Sequence, residues 1–107
     1  MVDATDRLLR DGLRETQLLL EGVGEEWWAS KMRGELCGTA NPSTILSWFG
    51  GMGSLNDLML CRANGHLFDA EDEVELNGRL RALTSRMFEL ARRAVGNGER
   101  NDRGSKR

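Results

Sequence analysis

The stretch Trp48–Leu60, WFGGMGSLNDLML, sets Gly50, Gly51, Gly53 and a methionine between two apolar runs. A strand leading into it would make it a phosphate cradle, whereas a helix on either side makes it the corner of a bundle. Upstream, Asn41-Pro42 is a helix start, with asparagine as N-cap and proline at the first helical position. The helix PSTILSWF then stops at Gly50, as a C-terminal glycine makes it do. Downstream, Ser54 and Asp57 have the spacing of a capping box, with aspartate in place of the usual glutamate. The expectation is therefore helix, C-cap, two-residue corner, N-cap, helix. The second of these helices, LNDLMLCRAN, is apolar on nearly every side, which implies burial by more than one neighbour.

Helical periodicity continues in both directions from the corner. Between Asp3 and Glu21, Leu8, Leu9, Leu13, Leu19 and Leu20 form one stripe with Thr16 in its gap. Asp3 or Thr5 suits the start, and EGVG (21–24) ends the helix. A second helix runs from Glu25 to about Cys37, its leading glutamates at the positive end of the dipole. Trp28, Met32 and Leu36 recur every four residues, and Trp27 sits about 100° away; one tryptophan is core and the other a border residue. After Asn64-Gly65, HLF reads as an extended link, and Asp69 with AEDE opens the last helix. There Leu76, Leu80, Leu83, Met87, Leu90 and Ala94 alternate four and three apart, a seam that serves an intramolecular bundle or a dimer. Gly78 lies inside this helix without a reason in the sequence.

One proline and few β-branched or aromatic residues leave strands poorly supported. The reading is an all-α, compact bundle of about five helices at residues 3–21, 25–37, 42–49, 55–64 and 70–95. It forms a single domain, 1–95, followed by a tail, 96–107, that has nothing to bury and is expected to be disordered.

The 107 residues suffice for one modest core, and a mean hydropathy of -0.49 with 30% charged side chains implies a charged exterior. Residues 1–95 hold 11 basic and 15 acidic side chains, and the tail four and two. Such an acidic body argues against nucleic acid and suits a basic protein partner. No segment approaches the roughly 20 apolar residues of a membrane helix. The opening MVDATDRLLRDG lacks the apolar stretch of a signal peptide, and two cysteines do not make a disulfide framework. A cytoplasmic protein with reduced thiols is expected.

Candidate chemistry is sparse. Amides from Gly53 to Asn56 at a helix N-terminus offer an anion site, with Gly51, Met52, Gly53, Ser54 and Asn56 as its ligand-binding residues. A P-loop, however, needs a preceding strand and a following GK[ST], and no lysine occurs between Lys31 and Lys106. Ser54 and Asp57 would also occupy those amides as caps. A helix-turn-helix needs a polar, basic reading helix, whereas this one offers Asn56 and Arg62 beside Asp57 on an apolar body. His66 with Cys37 and Cys61 falls one ligand short of a structural zinc site and builds no nucleophilic triad. Two small buried cysteines and a loop histidine are the plainer reading. No catalytic residue, metal or cofactor is assigned, and an enzyme is the less favoured class.

Trp28, the string ILSWFGGMGSLNDLML (45–60) and the later LNGRLRALTSRMFELAR (76–92) give the chain a further property. Through them it resembles an uncharacterised family of small bacterial helical proteins, a domain of unknown function. The resemblance implies a compact helical bundle and brings no activity, cofactor or site residue. Elimination, small size and surplus tryptophan then point to a non-catalytic protein-binding module, a toxin-neutralising (immunity-like) or regulatory factor, monomeric or homodimeric. Trp27, Trp48, Glu25 and Glu26 are its expected interface, because tryptophans are common energetic centres of interfaces. The alternative is a small-ligand or anion-binding sensor using the Gly50–Asp57 corner.

Overall fold

The computed structural model describes residues 4–38, 40–50, 54–62 and 65–106. Four α-helices carry it: α1 (Ala4–Gly22), α2 (Glu26–Cys37), the short α3 (Pro42–Leu46) and α4 (Glu73–Lys106). No strand occurs among the described residues, and none of these helices is long and apolar enough to cross a membrane. α1 packs against both α2 and α4, and α3 packs on α4. The fold is the all-α bundle that the periodicity implies, built from fewer helices.

Each helix is held by devices readable in its own sequence and by one or two that are not. On α1, Leu9, Leu13, Thr16 and Leu20 are buried at helical spacing; the Thr16 hydroxyl donates to the Gly12 carbonyl at 2.7 Å, so its polar atom is satisfied inside the core. Leu8, expected on that stripe, is exposed, and Asp3 lies outside the described residues. The helix ends where Gly24 turns to φ +80° and the Glu25 amide donates back to the Leu20 carbonyl at 2.8 Å, the glycine-dependent C-cap. α2 directs Trp28, Ala29 and Met32 inward. Its C-terminal carbonyls, at Leu36 and Gly38, accept from Arg10 of α1 at 2.6 and 3.0 Å, which places a cation at the negative end of the dipole. For α3, Asn41 Oδ1 accepts from the Ser43 and Thr44 amides at 2.9 and 3.4 Å. The predicted start of this helix stands, but α3 ends at Leu46 with Ser47 as its C-cap, short of the expected stop at Gly50, which adopts φ +97° three residues further on.

The helix expected over 55–64 does not form. Residues Leu55–Asp57 make a single 3-10 turn, and Leu58 has extended backbone. Beyond it, Leu60 is fully buried while Met59 is 56% exposed, the alternation of an extended segment. Asn77 of α4 supplies the reason. Its Oδ1 accepts from the Leu60 amide at 2.7 Å and its Nδ2 donates to the Leu60 carbonyl at 2.8 Å. One side chain thus satisfies both backbone groups of a buried residue, as a neighbouring strand would. The capping box fails with the helix: Ser54 occupies the N-cap position without a side-chain hydrogen bond. Its hydroxyl has no partner among the described residues.

α4 buries Leu80, Met87 and Leu90 with Ala91, and Leu76 packs against the same core. The seam is intramolecular, against α1 and α3, and Phe88 meets Phe49 edge-on at 5.1 Å. The backbone stays helical through Lys106, beyond the expected end at residue 95. Once nucleated, a helix adds one hydrogen bond for each residue it fixes, and no proline interrupts 96–106. Its 34 residues, roughly 51 Å at 1.5 Å each, set the 55 Å long dimension of the molecule.

Candidate functional site

The residues proposed for a ligand or a partner separate into three environments. Gly51, Met52 and Gly53 lie outside the described residues. Ser54 is buried at 9% exposure and Asn56 is exposed. The helix N-terminus that was to hold an anion there is absent. One amide of the set, that of Leu55, already donates to the Trp48 carbonyl at 2.7 Å. The anion cradle therefore loses its physical basis, because a single 3-10 turn presents neither a macrodipole nor a row of free amides.

Glu25 and His66 form a second environment, one that local pattern does not reveal. Glu25 is the N-cap of α2, its Oε2 accepting from the Trp28 amide at 3.3 Å. Its Oε1 lies 2.8 Å from His66 Nε2. The Cys61 amide points at His66 Nδ1 from 2.9 Å. A backbone amide only donates, so Nδ1 is the bare nitrogen, and Nε2 carries the hydrogen that it donates to Glu25. Both ring nitrogens are occupied within the fold, and His66 is buried. It ties Cys61 to the start of α2; it is neither a free base nor a free ligand. Glu25, expected in an interface, likewise has both carboxylate oxygens used within the fold. The Cys61 thiol takes no part in this contact, and both cysteines are free. Cys37 is exposed, not buried as expected, because it lies on the outer side of α2. Among the described residues no three His, Cys, Asp or Glu side chains gather as a metal site. Sequence reading missed the pair because its members stand 41 residues apart, each with a sufficient local explanation.

The tryptophans form the third environment, a ladder from solvent to core. Trp48 is 6% exposed and packs edge-on to Trp28 at 5.9 Å. It belongs to the core, not to the interface in which it was expected: it lies two residues beyond α3 and packs on Trp28 of α2. Trp28 in turn meets Trp27 edge-on at 4.9 Å, and Trp27 is 60% exposed. The division of Trp27 and Trp28 into border and core residues thus stands. The Lys31 ammonium lies 4.6 Å from the Trp27 ring and 5.2 Å from that of Trp28, a cation held by two aromatic faces. Trp27, Ser30, Lys31 and Gly34 are all exposed and, at spacings of three and four, line one outward face of α2. Glu26 borders that face and is paired with Arg33 at 3.1 Å.

Residues 21–69 match a family model described as Domain of unknown function (DUF6966). No curated protein and no solved structure matches the chain. The match encloses Glu25, Trp28, the Asn41 cap and His66 but ends before Asn77, so the leucine-rich block 76–92 expected to share in the resemblance lies outside it. From the last turn of α1 to the lead-in of α4, the chain is therefore similar to a family of unknown function.

Proposed function

We propose that this chain is a non-catalytic protein-binding module, of the regulatory or toxin-neutralising kind, acting in the bacterial cytoplasm through the outward face of α2. The carrying observation is Trp27, a large aromatic ring left mostly in water, braced by Trp28 and topped by Lys31. An exposed ring already held in place loses little freedom on binding and suits the energetic centre of an interface. Gly34 supports the same reading. A glycine inside a helix costs about 1 kcal/mol against alanine, and among the described residues nothing beyond its own helix backbone lies within 4 Å of the Cβ it lacks. A partner's backbone approaching along Trp27, Ser30 and Gly34 gives that bare position a use. Among the described residues the one histidine and its carboxylate neighbour are used within the fold, His66 and Glu25 occupying one another.

The test is affinity capture from native lysate followed by titration of the captured partner against two variants. Trp27→Ala weakens binding at least about tenfold, roughly 1.4 kcal/mol, while thermal stability stays near that of the parent. Gly34→Ala raises stability by about 0.5–1 kcal/mol and weakens binding. Undiminished capture by Trp27→Ala overturns the reading.

A further inference from the structure

Because residues 55–59 run as a turn and an extended segment instead of a helix, a cavity of about 510 Å³ lies between them and α4. That volume falls within the range of small-molecule sites. Leu55, Leu58 and Leu80 wall it, and the exposed, flexible Met59 stands at its rim. Of the polar groups lining it, two are occupied within the fold. Asn77 uses its oxygen on the Leu60 amide and its NH₂ on the Leu60 and Glu73 carbonyls, and the Thr84 hydroxyl donates to the Arg81 carbonyl at 3.2 Å. Arg81, Ser85 and Asn56 remain, and all three are exposed. Arg81 makes no ion pair among the described residues, where the ion pairs belong to Arg33, His66 and Arg92. No carboxylate side chain is among the lining residues described.

We infer that this cavity binds a small organic carboxylate with an apolar body, its charge on Arg81 and its hydrocarbon part against Leu55, Leu58 and Leu80. A guanidinium presents a planar fork that matches a carboxylate with two parallel hydrogen bonds. Ser85, one helical turn beyond Arg81, and Asn56 across the cavity offer neutral hydrogen-bond partners. One cation balances one negative charge; a dianionic phosphate would leave a charge uncompensated on a chain whose net charge is already -2. The site is separate from the α2 face and stands independently of the role proposed for that face.

The test is amide-resolved NMR titration of the full chain with 4-phenylbutyrate as the probe and 4-phenylbutanol as its neutral analogue. Phenylbutyrate produces saturable shifts confined to residues 55–60 and 77–85, and the alcohol binds at least tenfold more weakly, about 1.4 kcal/mol. Arg81→Gln removes the preference for the acid. Ser85→Trp, which fills the cavity and keeps the charge, abolishes the shifts, and Arg86→Gln, outside the lining, leaves them unchanged. The absence of saturable shifts with phenylbutyrate overturns the inference. So does equal binding of acid and alcohol, undiminished binding by Arg81→Gln or Ser85→Trp, an equal loss in Arg86→Gln, or tighter binding of phenyl phosphate.

Discussion

The Ser54 hydroxyl is a buried polar atom with no partner among the described residues, in a position where the sequence places a helix cap. The difference changes the sign of a substitution. A capping serine replaced by alanine costs about 1 kcal/mol, whereas an unsatisfied buried hydroxyl is itself a desolvation penalty of about 1–3 kcal/mol. Ser54→Ala is therefore expected to leave stability unchanged or raise it by up to about 1 kcal/mol, as urea denaturation will show. A loss near 1 kcal/mol would restore the cap. His66 teaches a related lesson. Its residue type suggests chemistry, but one backbone amide and one carboxylate use both of its nitrogens, and position decides against reactivity.

At the scale of elements, the segment after the glycine corner and the helix α4 are interdependent. LNDLMLCRAN has the composition of a buried helix, yet a helix apolar all round needs neighbours all round. Laid out as an extended segment, it buries Leu60 and lets Met59 face water. The cost of that choice is a bare backbone, which Asn77 meets with paired hydrogen bonds to Leu60. Asn77→Ala leaves a buried amide and a buried carbonyl unsatisfied and is expected to destabilise by about 2–4 kcal/mol. Hydrogen exchange should show the Leu60 amide losing protection ahead of the α1–α4 core. A destabilisation under about 0.5 kcal/mol, in the range of ordinary surface substitutions, would show that the segment is held by other means.

Over the whole molecule, net charge describes the surface poorly. The chain is acidic in sum, but the described outer side of α4 shows Arg79, Arg81, Arg86, Arg92 and Arg93, of which Arg92 is paired with Glu89 at 3.6 Å. A partner chosen by net charge alone would be chosen wrongly for that side. Arg33 ties α2 to α1 through Glu21 and stays within reach of Glu26. Hydrogen bonds to Glu26 and then Glu21 raise its pKa above the ordinary arginine value. A raised folded value means that the contribution is complete below the unfolded pKa and is lost only as pH climbs through the folded one. For arginine both lie far above neutral pH. Arg33→Met should therefore show a stability deficit that is constant between about pH 7 and pH 10. Because the pair is partly exposed, the deficit should shrink as salt approaches about 1 M, where the screening length falls to roughly 3 Å. A deficit that changes across that pH range would assign the tie to another group.

Helix class, the C-terminal end of α1, the start of α3, the core tryptophan and methionine of α2 and the long seam of α4 were all determined by sequence alone. Each rests on periodicity or on a cap whose atoms lie within a few residues, so the chemistry is local: Asn41 reaches Ser43, and Gly24 turns the chain beside Leu20. The extended course of Leu58–Leu60, the Glu25–His66 tie and the burial of Trp48 were decided only by tertiary structure. These depend on partners 17, 41 or 20 residues away, as with Asn77 for Leu60, Glu25 for His66 and Trp28 for Trp48. No local propensity records where a distant side chain will place its hydrogen-bonding groups.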